Sequence, residues 1–355
     1  MIAQGSSLGS VAAPAAPSAS RAEDRRGRIA LVVAGLVVVL ALVVLASLLL
    51  GEGRLSDAGL RSTLLVLRAS RLVGALLVGS ALAVSGLMIQ GLFRNPLADA
   101  SVIGTSAGAL LGGNTTVLVF ELWLAGRGLY GVPADVVQPM GCLLGALLAL
   151  SIILGLLRRT GDVLSVILTG FLLSSLFLSL GSLVTSLAQE RWELGRAVVA
   201  FSFGGLNATG PRHIALAAPL VVVGVGAAWF WAKPLDLLLC GDEEAASLGV
   251  NVIEVRRCCV LWIAVLTAGA VSLGGNLAFV GLLVPHALRP ILGVDHRRLL
   301  PVAALTGAVF VAACDVLVRA IPSRSEIPLG VVTGMLGAPA FFALLVRMQK
   351  EGTNG

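Results

Sequence analysis

The stretch Leu277–Pro301 reads LAFVGLLVPHALRPILGVDHRRLLP and decides the fold class of the chain. An apolar run ends at Pro285-His286, and a basic turn through Arg289 and Gly293 leads into a second apolar run. Proline disfavours the continuation of a helix, and glycine permits a tight turn. We therefore interpret this stretch as two membrane helices joined by a basic loop.

Composition extends this interpretation to the whole chain. The sequence has 355 residues, of which 57% are hydrophobic and 12% charged, whereas soluble domains carry about 25% charged residues. Apolar segments of roughly 20 residues, the length needed to cross a bilayer, recur along nearly the whole chain. No soluble domain of useful size fits between them. The predicted fold class is all-α, a polytopic integral membrane protein.

The apolar segments predict eight to ten membrane helices behind a disordered N-terminal tail, residues 1–28, which is rich in Ala, Ser, Pro and Arg. The helices are expected near residues 29–50, 70–90, 97–120, 138–158, 162–187, 213–232, 257–274, 277–290, 299–320 and 328–347. With ten spans, 15 of the 25 basic residues fall on the side of the tail. Because basic residues are enriched in cytoplasmic loops, we expect both termini to be cytoplasmic.

The segment Arg68–Gly113 carries the most specific pattern of the chain, RASRLVGALLVGSALAVSGLMIQGLFRNPLADASVIGTSAGALLGG. Gly104, Gly108 and Gly112 are spaced to lie on one helix face and to permit close contact with a neighbour. Asn95-Pro96 is a suitable helix start, because asparagine can cap a helix and proline suits its first turn. Packing and turn formation explain most of these residues individually, so the order of the motifs carries the information.

In their residues and in their order along the chain, these segments resemble the FecCD family of ABC-transporter permeases, which import iron–siderophore complexes, haem or vitamin B12. The resemblance covers roughly residues 30–347. It implies one permease domain, residues 29–348, with ten helices, in which helices 2–5 and 7–10 form two inverted-repeat halves. It also implies a multi-pass protein of the cytoplasmic (inner) membrane that works as a homodimer with two ATP-binding subunits and one extracytoplasmic substrate-binding protein.

Three arginines are expected at the outer ends of the helices. Arg68 and Arg71 lie on one face of the second helix, and Arg319 lies four residues after Asp315 in the ninth. Snorkelling to the membrane interface and a local Asp315–Arg319 pair would explain them structurally. The resemblance implies that Arg68, Arg71 and Arg319 dock the binding protein.

A loop between the sixth and seventh helices, residues 235–256, contains a short acidic segment between two glycines. Carboxylates at the start of such a segment favour a helix N-terminus, and a structureless loop of this length is uncommon. The resemblance implies that this loop couples the permease to the ATPase. Its candidate residues are Gly241, Asp242, Glu243, Glu244, Ala245, Leu248 and Gly249.

The fifth helix is rich in small and hydroxyl residues, which allow close approach of helices. The resemblance implies that this helix and the tenth line the transport pathway, with Thr169 and Ser174 as candidate lining residues. Some family members narrow the gate with a Thr-Ser pair, and the aligned positions here are Val163 and Leu164. A hydrophobic constriction that gates by dewetting is therefore expected.

We expect no catalytic site and no metal site in this chain. His213 is predicted on the outer side and His286 and His296 on the inner side, which leaves too few ligands for a closed zinc site. No Gly-x-x-x-x-Gly-Lys-Ser/Thr phosphate-binding loop is present. ATP and Mg²⁺ would thus bind to a partner subunit, and no cofactor to this chain.

The expected function is import of an iron–siderophore complex, driven by ATP hydrolysis on a separate subunit, with haem or vitamin B12 as alternative substrates. An ion-gradient-driven secondary transporter would need an ionisable residue near the middle of the membrane, and Asp315 is the main candidate. An integral-membrane enzyme would need clustered carboxylates or histidines, which the sequence does not indicate.

Overall fold

The computed structural model describes residues 19–50, 59–100, 104–124, 134–160, 163–207, 209–321 and 327–353, and these residues are helical almost throughout. The helices are α1 (Ala19–Leu49), α2 (Arg61–Leu92), α3 (Thr105–Val119), α4 (Ala134–Thr160), α5 (Val163–Ala188), α6 (Trp192–Phe203), α7 (Pro211–Leu238), α8 (Asp242–Ser247), α9 (Val252–Gly274), α10 (Val280–Leu292), α11 (His296–Ala320) and α12 (Leu329–Thr353). A π-helical turn, Phe120–Leu124, extends α3. The all-α prediction is confirmed.

Each of the ten predicted spans corresponds to one helix: α1 to α5, α7, and α9 to α12. Among the described residues, seven helices are long and apolar enough to cross a membrane, and α10 and part of α12 are shorter apolar helices. The short helix expected between Gly241 and Gly249 is α8. Helix α6, by contrast, was not predicted.

Two predicted boundaries near the sequence motifs are wrong. Helix α10 continues through Pro285 to Leu292, so the turn is only three residues long, Gly293–Asp295, and the basic residues lie in the flanking helices. Helix α3 begins at Thr105 rather than at residue 97. The Asn95 side chain instead closes a turn, because its Oδ1 accepts a hydrogen bond from the backbone N–H two residues later at 2.9 Å.

The predicted N-terminal tail also differs in part. Helix α1 begins at Ala19, ten residues before the expected first span, and residues 1–18 lie outside the described residues. Only 6% of the most apolar 18-residue window within Ile29–Leu49 is buried, whereas 78% of the corresponding windows of α2 and α9 is buried. Helix α1 is thus peripheral, and α2 and α9 form the centre of the bundle.

The packing of the helices relates α2–α5 to α9–α12. Helices α2 and α9 pack on each other. Helix α2 also packs along α11 as α9 packs along α4, and α3 packs on α4 and α5 as α10 packs on α11 and α12. Exchanging the two sets of helices reproduces the contacts, as a two-fold relation between two halves requires. The fold therefore has the two related halves that inverted repeats produce.

Ion pairs define two ends of the bundle. At one end, Arg94 after α2 and Arg256 at the start of α9 both pair with Asp242 of α8; we call this the α8 end. At the other end, Arg71 towards the start of α2 pairs with Asp315 near the end of α11; we call this the arginine end. The central helices α2 and α9 therefore run antiparallel.

Glycine contacts set the distances between the helices of each half. A Cβ built on Gly108 or Gly112 of α3 would overlap the backbone of Gly145 or Gly141 of α4. Apolar side chains gain nothing by leaving lipid for one another, so close backbone packing is a main source of helix association in membranes. The predicted close-contact face is confirmed for Gly108 and Gly112. Gly104, however, precedes α3 with a φ of 88°, a left-handed conformation that favours glycine.

We expect Gly145→Ala to destabilise the α3–α4 pair, because its Cβ would overlap the carbonyl oxygen of Gly108. Overpacking of this kind costs about 1–3 kcal/mol. The matched control is Gly155→Ala in the same helix, where a Cβ meets nothing within 4 Å. The control should be neutral or stabilising by up to about 1 kcal/mol, the helix propensity difference. Thermal unfolding in detergent measures both, and equal midpoints would contradict the assigned contact.

Candidate functional site

Asp315 is the centre of the charged cluster at the arginine end. Its side chain is 1% exposed, and its carboxylate lies 2.7 Å from Arg71 Nε and 2.9 Å from Arg319 Nη2. The local Asp315–Arg319 pair expected from the sequence is present, and Arg71 from another helix joins it. Two guanidinium groups around one carboxylate leave the trio with a net positive charge.

Arg68 and Arg319 also bind the end of α1. Arg68 Nη1 donates to the carbonyl oxygens of Leu48 and Leu49 at 2.8 and 3.2 Å. Arg319 Nη1 donates to those of Ser47 and Leu50, both at 2.9 Å. The last carbonyl groups of a helix lack partners within the helix and carry its negative dipole end, so arginines stabilise them. These bonds fasten a helix that is otherwise poorly packed.

The three arginines expected to dock a partner differ in their exposure. Arg68 is 6% exposed, and the side chains of Arg319 and Arg71 are 8% and 21% exposed. Arg68 and Arg319 are thus committed to contacts within the chain, and Arg71 is the most accessible of the three. Docking through these residues stays a prediction.

At the α8 end, Asp242 joins three elements. Its two carboxylate oxygens pair with Arg94 of the loop after α2 and, at 2.8 Å, with Arg256 Nη2 of α9. Arg94 has a φ of 50°, a conformation uncommon for residues with a side chain. Burial and the neighbouring charge of Arg256 lower the pKa of the Arg94 guanidinium, whereas Glu244 raises it. The pairs hold the start of α8 against the two central helices.

The other predicted coupling residues divide into an anchor and an exposed face. Ala245 is fully buried, while Glu243, Glu244 and Leu248 are exposed. Gly241 and Gly249, which bracket α8, have φ values of 130° and 84° that favour glycine. Helix α8 therefore projects from the bundle as a short acidic element that is anchored through Ala245.

A second contact at the α8 end was not predicted from the sequence. Asp236 of α7 accepts a hydrogen bond from the backbone N–H of His296 at 3.0 Å, and its Oδ1 also lies 2.5 Å from His296 Nδ1. The imidazole is buried against Gly91 of α2, where a Cβ would lie 2.6 Å from Nε2. The expectation that His296 has a structural role agrees with this position. Asp295, which caps α11, was the only signal in the sequence for this helix start.

The predicted pathway residues lie along α5. Ser174 is buried and its Oγ donates to the carbonyl oxygen of Gly170 at 2.8 Å, beside Gly104 of the α3 start. Thr169 is partly exposed. The side chains of Val163 and Leu164 lie outside the described residues. In this chain, Ser174 therefore packs α5 against α3, and a pathway role for the four residues stays a prediction.

A cavity of about 1050 Å³ lies near the arginine end, behind α6. Its walls include Arg71, Arg196 of α6, His213 of α7 and Leu329, the first residue of α12. The sequence did not predict this cavity, because its walls come from seven helices that are distant in the chain. Among the wall elements, only α6 has a local sequence pattern that could have indicated the cavity, an amphipathic segment with Glu193 in its first turn.

Comparison with known protein families identifies the family of this chain. The model of the FecCD transport family matches residues 28–347. The chain belongs to the FecCD transport family. The matched residues include all the helices from α2 to α11. They therefore also include both charged clusters and the cavity of this FecCD chain.

Individual FecCD relatives are similar over most of the chain. It is 36% identical to the cobalamin import system permease protein of Halobacterium salinarum over 71% of its length, and the alignment spans 65% of that relative, just under two thirds. It is 36% identical to the Fe(3+) dicitrate transport system permease protein of Escherichia coli, covering 73% of this chain and 77% of the relative. A solved structure described as an inward-facing metal-chelate type ABC transporter superimposes with a TM-score of 0.75 at 27% identity, covering 90% of this chain and 99% of that one.

We expect Asp315→Asn to destabilise the FecCD chain strongly, because it leaves Arg71 and Arg319 without their buried counter-charge. Removing one member of a buried ion pair costs about 3–5 kcal/mol. Asp242→Asn is the matched control, since its side chain is 42% exposed and exposed pairs contribute about 1 kcal/mol or less. Denaturant unfolding in detergent micelles compares them, and a smaller loss for Asp315→Asn than for Asp242→Asn would contradict the central role of Asp315.

Proposed function

We propose that the chain is the permease subunit of a binding-protein-dependent ABC importer that carries a ferric chelate across the cytoplasmic membrane. The observation that carries this proposal is α8, a short acidic helix that projects from one end of a polytopic bundle in a FecCD chain. Such an element is suited to insert into a cleft of a separate ATPase. The chain itself breaks no bond of the substrate.

The orientation follows from the basic residues. Several of them cluster around α8 and the turn before α11, including Arg94, Arg256, Arg257, Arg297 and Arg298. Because cytoplasmic segments are enriched in lysine and arginine, we place the α8 end and both termini in the cytoplasm. The arginine end then faces the binding protein outside.

The coupling mechanism derives from Asp242. A displacement of α8 by the ATPase acts on Arg94 and Arg256, and hence on the inner ends of α2 and α9. These two helices are the most buried in the bundle, so a change in their relative position is passed to both halves. Movement at the ATPase can thus alter the pathway without contact between ATPase and substrate.

The substrate is proposed at the level of a chemical class. Relatives are named for cobalamin import and for Fe(3+) dicitrate transport, and the solved neighbour is described as a metal-chelate type transporter. We favour a ferric siderophore, with haem or vitamin B12 as alternatives. The partners are a second copy of the chain, two ATP-binding subunits and one binding protein.

A secondary transporter driven by an ion gradient is the alternative of another class. Its main candidate, Asp315, lies at one end of the bundle and is held between two arginines. The coupling carboxylate of an ion-driven transporter is instead expected near the middle of the membrane. This geometry favours the ATP-driven proposal.

Uptake into proteoliposomes tests the function. The chain reconstituted with its ATPase and binding protein should accumulate a ferric siderophore only with ATP. Replacing Glu243–Ser247 by a Gly/Ser linker should lower ATP-driven uptake at least tenfold, because the ATPase loses its contact helix. Arg297→Gln, exposed at the same end but outside α8, is the control and should retain uptake. Uptake without the ATPase, or normal uptake with the linker, would refute the proposal.

Docking of the binding protein is best tested at Arg71. Reversing the charge of Arg68 or Arg319 would disrupt their bonds to α1 and Asp315, whereas Arg71→Gln keeps a donor for Asp315. We expect Arg71→Gln to weaken binding-protein affinity about tenfold, since a charge-assisted bond contributes about 1.5–3 kcal/mol, and Arg71→Lys to restore part of it. Arg257→Gln, exposed at the α8 end, is the control. Unchanged affinity of Arg71→Gln in surface plasmon resonance would remove Arg71 from the docking surface.

A further inference from the structure

The cavity behind α6 has the size of a ligand site. Its volume of about 1050 Å³ is just above the roughly 300–1,000 Å³ typical of pockets for small molecules and cofactors. Helix α6 forms one wall, and the ends of α7, α9 and α12 converge on the other side. The cavity lies at the end of the bundle that we place outside the cell, where a substrate arrives.

The charged residues of the wall have one sign. Arg71 and Arg196 line the cavity, and no Asp or Glu is found among its described wall residues. Asp315 offsets part of the charge of Arg71 from behind the wall, at 2.7 Å. Arg196 comes from the exposed side of α6 and adds a second, separate guanidinium. Anions are therefore attracted to this cavity and cations repelled.

A helix end reinforces this sign. Helix α7 begins at Pro211 beside the wall residues Thr209 and His213. Helix α12 begins at Leu329, which is itself a wall residue. The N-terminus of a helix carries a partial positive charge. The start of α7 thus adds positive potential to the space that Arg71 and Arg196 line, whereas at the start of α12 the Gly330 N–H donates to the carbonyl oxygen of Gly204.

The remaining wall suits an oxygen-rich organic shell. Polar side chains are supplied by Gln138, Gln189 and Asn207, and flat apolar surface by Trp192 and Phe203. Arginine forks bind carboxylates and similar oxygen pairs in a bidentate manner. Such a wall can hold a ligand by its oxygen atoms without a covalent step.

We propose that this cavity is a binding site for an anionic, oxygen-donor metal chelate, held by Arg196 and Arg71. The inference rests on the proposed import function, and it names the charge class of the substrate that the permease itself selects. Selection by charge would then occur in the permease as well as in the binding protein.

Binding to the full chain in lipid nanodiscs, without ATPase or binding protein, tests this site. The probes are two radiolabelled iron chelates of similar size and opposite charge, a ferric tricatecholate, which is anionic, and a cationic ferric trihydroxamate. Equilibrium dialysis should show tighter binding of the anionic chelate. Arg196→Glu should weaken that binding at least tenfold, and Arg196→Lys should keep most of it.

The matched control is Arg212→Glu, an exposed arginine of α7 that does not line the cavity, which should change the affinity less than about twofold. Size-exclusion elution and thermal unfolding check that each variant is folded. Equal affinity for both chelates, no loss with Arg196→Glu, equal losses with both charge reversals, or no saturable binding up to about 1 mM would each overturn the site. Because ATPase-dependent uptake is measured separately, this site can fail while the import function stands, and the reverse.

Discussion

Backbone contact between glycines of neighbouring helices is the constraint on which the rest of this structure depends. A Cβ on Gly79 of α2 would overlap Gly307 of α11, and a Cβ on Gly86 would overlap Gly281 of α10. Lipid is as apolar as the side chains, so helices in a membrane are held by how closely their backbones approach. Helix α2 is thereby fixed along its length against two helices of the other half.

This fixed helix carries residues of both charged clusters. Arg68 and Arg71 lie towards its start, and Arg94 follows its end. With 32 residues and a rise of 1.5 Å per residue, α2 is about 48 Å long and spans the membrane. Its antiparallel partner α9 carries Arg256 in its first turns, and Arg256 pairs with the same carboxylate as Arg94. The two central helices therefore connect the arginine end with the α8 end directly.

Features that depend on residues close together in the sequence could be predicted, whereas features that depend on distant residues could not. The spans and α8 were predictable, because a long apolar run or an acidic segment between two glycines is a local property. Helix boundaries near proline were less predictable. Helix α10 continues through Pro285, because neighbouring groups in a membrane protein compensate for the N–H that proline lacks. The Arg71–Asp315 and Asp236–His296 contacts join positions 244 and 60 residues apart. No local pattern encodes such pairs.

The three arginines predicted to dock the binding protein show the same limit of prediction from the sequence. Their sign and their end of the bundle follow from the sequence, but the acceptors that occupy Arg68 and Arg319 are backbone carbonyls of α1. Carbonyl groups are present at every residue, so no sequence pattern marks them as partners. A helix with 6% of its apolar window buried still influences the site, because its C-terminal end takes up two of the three guanidinium groups.

Arg71 has a special position because it belongs to both the arginine cluster and the cavity wall. If a carboxylate of a docked protein binds Arg71, that guanidinium attracts an anionic ligand in the cavity less strongly. By thermodynamic linkage, a ligand held by Arg71 must weaken docking by the same factor. The two proposed events at the arginine end would then oppose each other. Such opposition would favour release of the binding protein once its cargo has entered the cavity.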